Sequence, residues 1–317
     1  MDLATITSAM DNVPVMYFVY AILLNSIIAV FGALSYKLLF YIQGENLDFS
    51  KSFVILHISQ FFNFFAPLKT GAIFGKPLVT RLIGGISLKN GIFAVGFENF
   101  FSIAWQIIML PILLLLVGEN LLFNNMLLKI AIVILFILIS GVMSYKYKWF
   151  LPKIIGLKRF MPDRIKKFVS KFGIDEETIK GFIDNVPSYF SNKGLILLLV
   201  ALTIIQAVLL PFFVGLSLMF FNVGLSYFDL FVVYWISYIL GRLSFLPSGL
   251  GVKDVTMGGL LLGFGVNGVT VVKTVILFRV FAFIPYLFIG GLAFLYYGHK
   301  YTYKRFFKRD FGEEIKP

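Results

Sequence analysis

Phe245-Leu246-Pro247-Ser248-Gly249-Leu250-Gly251-Val252-Lys253-Asp254 sets a proline, two glycines and two opposite charges deep in an otherwise apolar region, and an arginine, Arg279, follows in the next long apolar segment. A charge at bilayer depth costs about 2.5–3.5 kcal/mol on insertion scales. Irregular backbone is tolerated there only where protein or water satisfies it. The stretch therefore reads as the lining of a polar site inside a membrane protein.

The rest of the chain agrees with that setting. Its 317 residues are 59% hydrophobic and 14% charged, with mean hydropathy +0.90, outside the range of soluble domains. Val13–Tyr36, Asn99–Gly118, Gly194–Phe228 and Val280–Gly298 carry no charge, and each is long enough for a helical span of about 20 residues. The apolar residues run continuously rather than alternating, which excludes a barrel. The fold class expected is an all-α integral membrane protein, a polytopic helical bundle. The N-terminus is acidic up to Asp11 and lacks the basic n-region of a cleaved signal peptide, so the first apolar run is read as a span.

With no cysteine and only His57 and His299 as histidines, thiol chemistry and a multi-histidine metal site are excluded, and no cofactor is expected. The net charge of +12 is concentrated beside the spans: Lys146–Lys193 holds eleven Lys/Arg against five Asp/Glu, and the tail from His299 six against three. That distribution fits the positive-inside rule and contact with anionic headgroups, not nucleic acid.

The organisation expected is one transmembrane domain: a first half over about 13–145, a basic connector over 146–193, a second half over about 194–298 and a basic tail over 299–317. Helices are expected near 13–42, 52–66, 88–117, 121–145, 194–221, 228–245, 253–263 and 270–297. In the connector, Ile165, Phe168, Val169 and Phe172 fall on one face of a helix suited to the membrane surface; a solvated linker is the plainer alternative.

Each half contains an interrupted helix. Phe65-Ala66-Pro67-Leu68-Lys69-Thr70-Gly71 and Phe245-Leu246-Pro247-Ser248-Gly249-Leu250-Gly251 share the pattern Phe-x-Pro-x-x-x-Gly, and Glu98 follows Pro67 at nearly the distance at which Arg279 follows Pro247. Proline breaks the helix and glycine loosens it. Paired interruptions in corresponding places are the mark of internal repeats in transporters and point to a binding site. Taken as two re-entrant hairpins related by an inverted repeat, they place the connector and the C-terminus on the cytosolic face.

At Pro247, Gly249, Leu250, Gly251 and Arg279 the chain resembles the transmembrane region of the lysylphosphatidylglycerol synthase family, with Ser248 where a glycine is usual and Asp254 where glutamate is usual. Asn63, Pro67, Gly71 and Glu98 match a weaker first motif, in which Ala72 and Asn99 depart from the usual Glu and Arg. The resemblance implies a lipid-handling membrane domain, in some relatives a flippase. Enzymes of the family add a soluble transferase domain, and none is expected in this chain.

The candidate substrate-binding residues are Arg279, Lys253, Asp254, Glu98, Pro247, Ser248, Gly249, Gly251, Asn63, Pro67, Lys69 and Gly71. Arg279 and Lys253 are expected to attract a lipid phosphate, with Glu98 and Asp254 compensating them in the empty site. The plainer alternative is an ion pair of Arg279 with Glu98 or Asp254 that only ties the protein together. Lys69, Lys76 and Arg81 are expected to snorkel to the interface, with headgroup contact the alternative, and Arg242 can join the site or pair with a carboxylate. His57 and Gln60, beside Asn63, suggest a helix–helix hydrogen bond. The function expected is a lipid flippase or transporter, not an enzyme, of a plasma membrane. A membrane-embedded transferase, or a non-catalytic subunit partnering a lipid-modifying enzyme, is the alternative.

Overall fold

The computed structural model describes residues 14–65, 75–116, 192–244 and 246–300. Among them the elements are α1 (Val15–Ile42), α2 (Phe49–Phe65), α3 (Lys76–Val79), which continues as a π-helical turn at Thr80–Gly84, and α4 (Leu88–Leu116). After the connector come α5 (Lys193–Leu209), α6 (Phe212–Met219), α7 (Tyr227–Leu243), a 3-10 turn at Pro247–Gly249, α8 (Val252–Gly263) and α9 (Gly268–Pro285). A second π-helical turn, Tyr286–Gly290, leads into α10 (Gly291–Lys300). The described protein is all-helical, and Val15–Ile42, Lys193–Met219 and Gly268–Gly298 are long and apolar enough to cross a membrane. The break at Pro67, with Lys69 and Gly71, the apolar segment 121–145, the connector up to 191 and the tail from 301 lie outside the described residues.

The chain divides into two units, residues 1–95 with 199–317, and residues 96–198. In the first, α1 shows how an apolar helix distinguishes its two faces. Ala21, Asn25, Ile28, Ala29, Gly32, Ala33 and Tyr36 recur at helical spacing and are buried, while Val15, Met16, Val19, Ile22, Leu23 and Ile27 are exposed. Small residues bring backbones close where lipid and protein are equally apolar, and large ones remain for the hydrocarbon. An added Cβ at Gly32 would stand 3.1 Å from Leu56 of α2 and 3.3 Å from Gln206 of α5. Hydrogen bonds join α1 to α5, α7 to α5 and α1 to the first π turn: Gln206 Nε2 donates to Ser35 Oγ (3.3 Å), Trp235 Nε1 to the Ala207 carbonyl (3.2 Å), and Tyr36 and Thr80 share a bond of 2.8 Å.

The described helices on either side of each expected interruption pack on one another. The helix α2 packs on α3 and its π turn, and α7 packs along α8. Of the second unit, the described residues are α4 from Gly96 onward and the start of α5, with Gln106 Nε2 donating to Ser102 Oγ at 3.1 Å.

Two expected helices prove to be compound. The span 194–221 is split at Leu210-Pro211, because Pro211 has no amide hydrogen to continue α5. The last helix, expected continuous over 270–297, passes through the π turn immediately after Pro285. That turn presses Gly290 against the His57 carbonyl of α2, with an added Cβ only 2.9 Å from Phe61 Cβ.

Gly290→Ala is accordingly expected to lower stability by about 1–3 kcal/mol. Gly259→Ala, on α8 where nothing lies within 4 Å of the added carbon, leaves stability unchanged or raises it by up to about 1 kcal/mol. Thermal unfolding in detergent compares the two, and equal midpoints would contradict the close contact.

Candidate functional site

The break after α7 is held open by backbone that ordinary residues avoid. Ser248 (φ 49), Gly249 (φ 67) and Gly251 (φ 81) all lie in the left-handed half of conformational space. Glycine enters it freely, whereas a residue with a Cβ pays on the order of 1–2 kcal/mol. Gly249 has a second requirement, since a Cβ there would lie 2.9 Å from the Gly241 Cα and carbonyl oxygen of α7. Ser248 is the strained member, and its Oγ donates across to the Asn63 carbonyl at the end of α2, 3.4 Å away. The end of α2 thus meets the 3-10 turn at Asn63 and Ser248.

Asp254 sits in the first turn of α8, where Oδ2 accepts the Gly251 amide at 2.9 Å and the helix N-terminus favours negative charge. Arg279 approaches from α9 and binds the same carboxylate with two donors, Nε to Oδ1 at 2.7 Å and Nη2 to Oδ2 at 3.0 Å. Its Nη1 donates to the Ser248 carbonyl at 3.2 Å. The guanidinium carries five N–H donors. Three are engaged, leaving one hydrogen on each terminal nitrogen without a partner among the described residues. The pair is partly open, with side-chain exposures of 21% for Arg279 and 26% for Asp254.

Lys253 points elsewhere than the sequence suggests. Its Nζ lies 4.5 Å from the Phe278 ring centroid, 5.0 Å from that of Tyr234 and 5.5 Å from that of Tyr238. Cation–π attraction holds it among aromatic rings of α7 and α9. Tyr234 and Tyr238 stand one turn apart on α7, and that i,i+4 spacing opposite a lysine was the available signal for this cage. In the first hairpin Lys76, 3% exposed, lies over the Tyr36 ring at 3.9 Å, so it is buried rather than snorkelling.

Of the other expected site residues, Pro247 begins the 3-10 turn and Asn63 donates to Gln60 Oε1 at 3.1 Å within α2. His57 Nδ1 bonds the Phe53 carbonyl at 2.9 Å, also within α2. The helix–helix bond expected of His57 and Gln60 is corrected on both counts: each bonds a group about one turn away on its own helix. Glu98 lies on α4 in the second unit, and the carboxylate bound to Arg279 is Asp254. Pro67, Lys69 and Gly71 belong to the undescribed segment 66–74.

The profile of the family described as lysylphosphatidylglycerol synthase TM region matches residues 1–290. A UPF0104 membrane protein of Methanothermobacter thermautotrophicus is 25% identical over 258 residues, covering 77% of this chain and 73% of the relative.

Removing one member of the ion pair leaves the other without compensation in a partly buried site. Asp254→Ala and Arg279→Ala are each expected to lower stability by about 1–3 kcal/mol, and the double substitution by less than their sum. A double-mutant cycle from unfolding midpoints checks this, and strict additivity would show the contact to be energetically idle.

Proposed function

The chain belongs to the lysylphosphatidylglycerol synthase transmembrane-region family, and from that premise we propose that it is a lipid transporter, a flippase that moves an anionic or lipid-linked substrate between leaflets. The observation that carries this reading is the open fork of Arg279. Asp254 and the Ser248 carbonyl hold the guanidinium in place, yet one hydrogen remains on each terminal nitrogen. Donors on both terminal nitrogens suit the oxygens of a phosphate. Left-handed backbone at Ser248, Gly249 and Gly251 supplies a polar lining where a bilayer would otherwise present hydrocarbon.

In this reading the hairpins α2–α3 and α7–α8 are re-entrant halves of an inverted repeat, and the substrate headgroup is received between Ser248 and Arg279. Asp254 then acts as the resident counter-charge that keeps Arg279 oriented between transport cycles. The basic connector and tail face the cytoplasm of a plasma membrane, where anionic headgroups would hold them. Transport, rather than covalent modification of the lipid, is the activity proposed, and membrane lipids are the partners.

Reconstitution into liposomes carrying a fluorescent anionic phospholipid tests the reading. The wild-type protein is expected to expose inner-leaflet probe to a membrane-impermeant quencher, and Arg279→Ala to lower the rate at least tenfold. Arg279→Lys, which keeps the charge and loses the fork, should fall between them. Undiminished scrambling or flipping by folded Arg279→Ala would remove the basis of the proposal.

A further inference from the structure

Lys253 and Asp254 are neighbours on α8, and Phe278 and Arg279 are neighbours on α9. The two pairs meet in register. The Lys253 ammonium lies 4.5 Å from the Phe278 ring centroid, and the Asp254 carboxylate takes two donors of Arg279 at 2.7 and 3.0 Å. Neighbouring residues of a helix point about 100° apart. One contact would leave α8 free to turn about it, whereas two in such different directions fix its rotation and its height against α9 together.

The side chain of Lys253 is held at both of its ends. Its Cβ packs so closely on α7 that a Cβ added to Gly241 would stand 2.8 Å from it. Its Nζ also lies 5.0 Å from the Tyr234 ring centroid and 5.5 Å from that of Tyr238, so one ammonium engages rings of α7 and α9 at once. The chain entering α8 offers less support. Ser248, Gly249 and Gly251 carry positive φ, and a Cβ added at Gly251 would meet nothing within 4 Å. Glycine confines the backbone least, so contacts made after Gly251, more than the chain before it, set where the first turn of α8 lies. Asp254 is in that turn, and its two bonds to Arg279 decide which guanidinium hydrogens are left over.

Resting on the transporter reading above, we propose that Lys253 is a positioning residue of the lipid site. Its ammonium, seated among Tyr234, Tyr238 and Phe278, holds α8 in the register at which Asp254 binds Arg279 through two donors. That register leaves one hydrogen on each terminal nitrogen for a lipid phosphate. Lys253 acts through Asp254 and touches no lipid itself.

Two measurements on the full chain in phosphatidylcholine nanodiscs test this: the affinity for short-chain phosphatidylglycerol, and the nitrogen–proton NMR signal of Arg279 Nε, assigned by its loss in Arg279→Lys. Lys253→Met, of similar length without the charge, is expected to weaken binding about tenfold, the loss of a desolvated cation–π contact. It should also shift or broaden the Arg279 signal before any lipid is added. Lys253→Arg keeps a cation that stacks on rings and is expected to recover most of the affinity and the wild-type signal. Tyr234→Leu, which opens one wall of the seat, should weaken binding more than Tyr234→Phe, which keeps the ring; this pair carries the test if Lys253→Met does not fold. Undiminished binding with an unmoved Arg279 signal in folded Lys253→Met, whatever its unfolding midpoint, would reduce the seat to a contribution to stability and overturn the proposal. Weakened binding with an unmoved Arg279 signal would make Lys253 a direct contact of the phosphate and overturn it too. Failure of the wild type to bind phosphatidylglycerol, or binding indifferent to Arg279→Ala, would defeat the transporter reading and the proposal with it, a result reached without any variant of the seat.

Discussion

An unwound backbone in an apolar setting has to find partners for its own amides and carbonyls, and here Arg279 and Asp254 supply them. The carboxylate takes the Gly251 amide and the guanidinium takes the Ser248 carbonyl, while the two side chains neutralise each other. Without such a knot the break between α7 and α8 would leave polar groups costing several kcal/mol each in hydrocarbon. The ion pair is therefore both structural and, in the proposed function, the reserve from which phosphate binding draws.

Close approach makes the knot possible. Gly241 and Gly249 meet backbone to backbone, which places Lys253 against α7 and its ammonium among Tyr234, Tyr238 and Phe278. Asp254, next in sequence, binds Arg279 of α9 instead, the residue that follows Phe278. Adjacent opposite charges are thus separated by helix geometry, one into an aromatic cage and one into the ligand site. The first hairpin repeats part of this arrangement, with Lys76 over Tyr36.

Membrane character, the helix bounds near 15, 42, 65, 88, 227, 243, 252 and 263, and the importance of the Pro247–Gly251 break were legible in the chain itself. Charge-free runs and helix breakers act locally, and their consequences need no knowledge of neighbours. The π turn after Pro285 was not legible, because proline signals a disturbance without fixing its form; contact of Gly290 with α2 does that. The sequence likewise left Arg279 two carboxylates to choose from. Asp254 stands 25 residues from Arg279 and Glu98 much farther along the chain, and chain separation carries no distance.

By itself, then, the order of residues determined an all-helical membrane protein interrupted at Pro247, with Arg279 and Asp254 as charges that required an explanation. Only the tertiary structure decided that these two are partners and that Lys253 turns away into aromatic rings. The physical reason is one of range. Propensity and hydropathy act within a few turns of one helix, whereas pairing of charges and burial of polar atoms depend on which helices pack together, and that is settled by close contacts spread across the whole first unit.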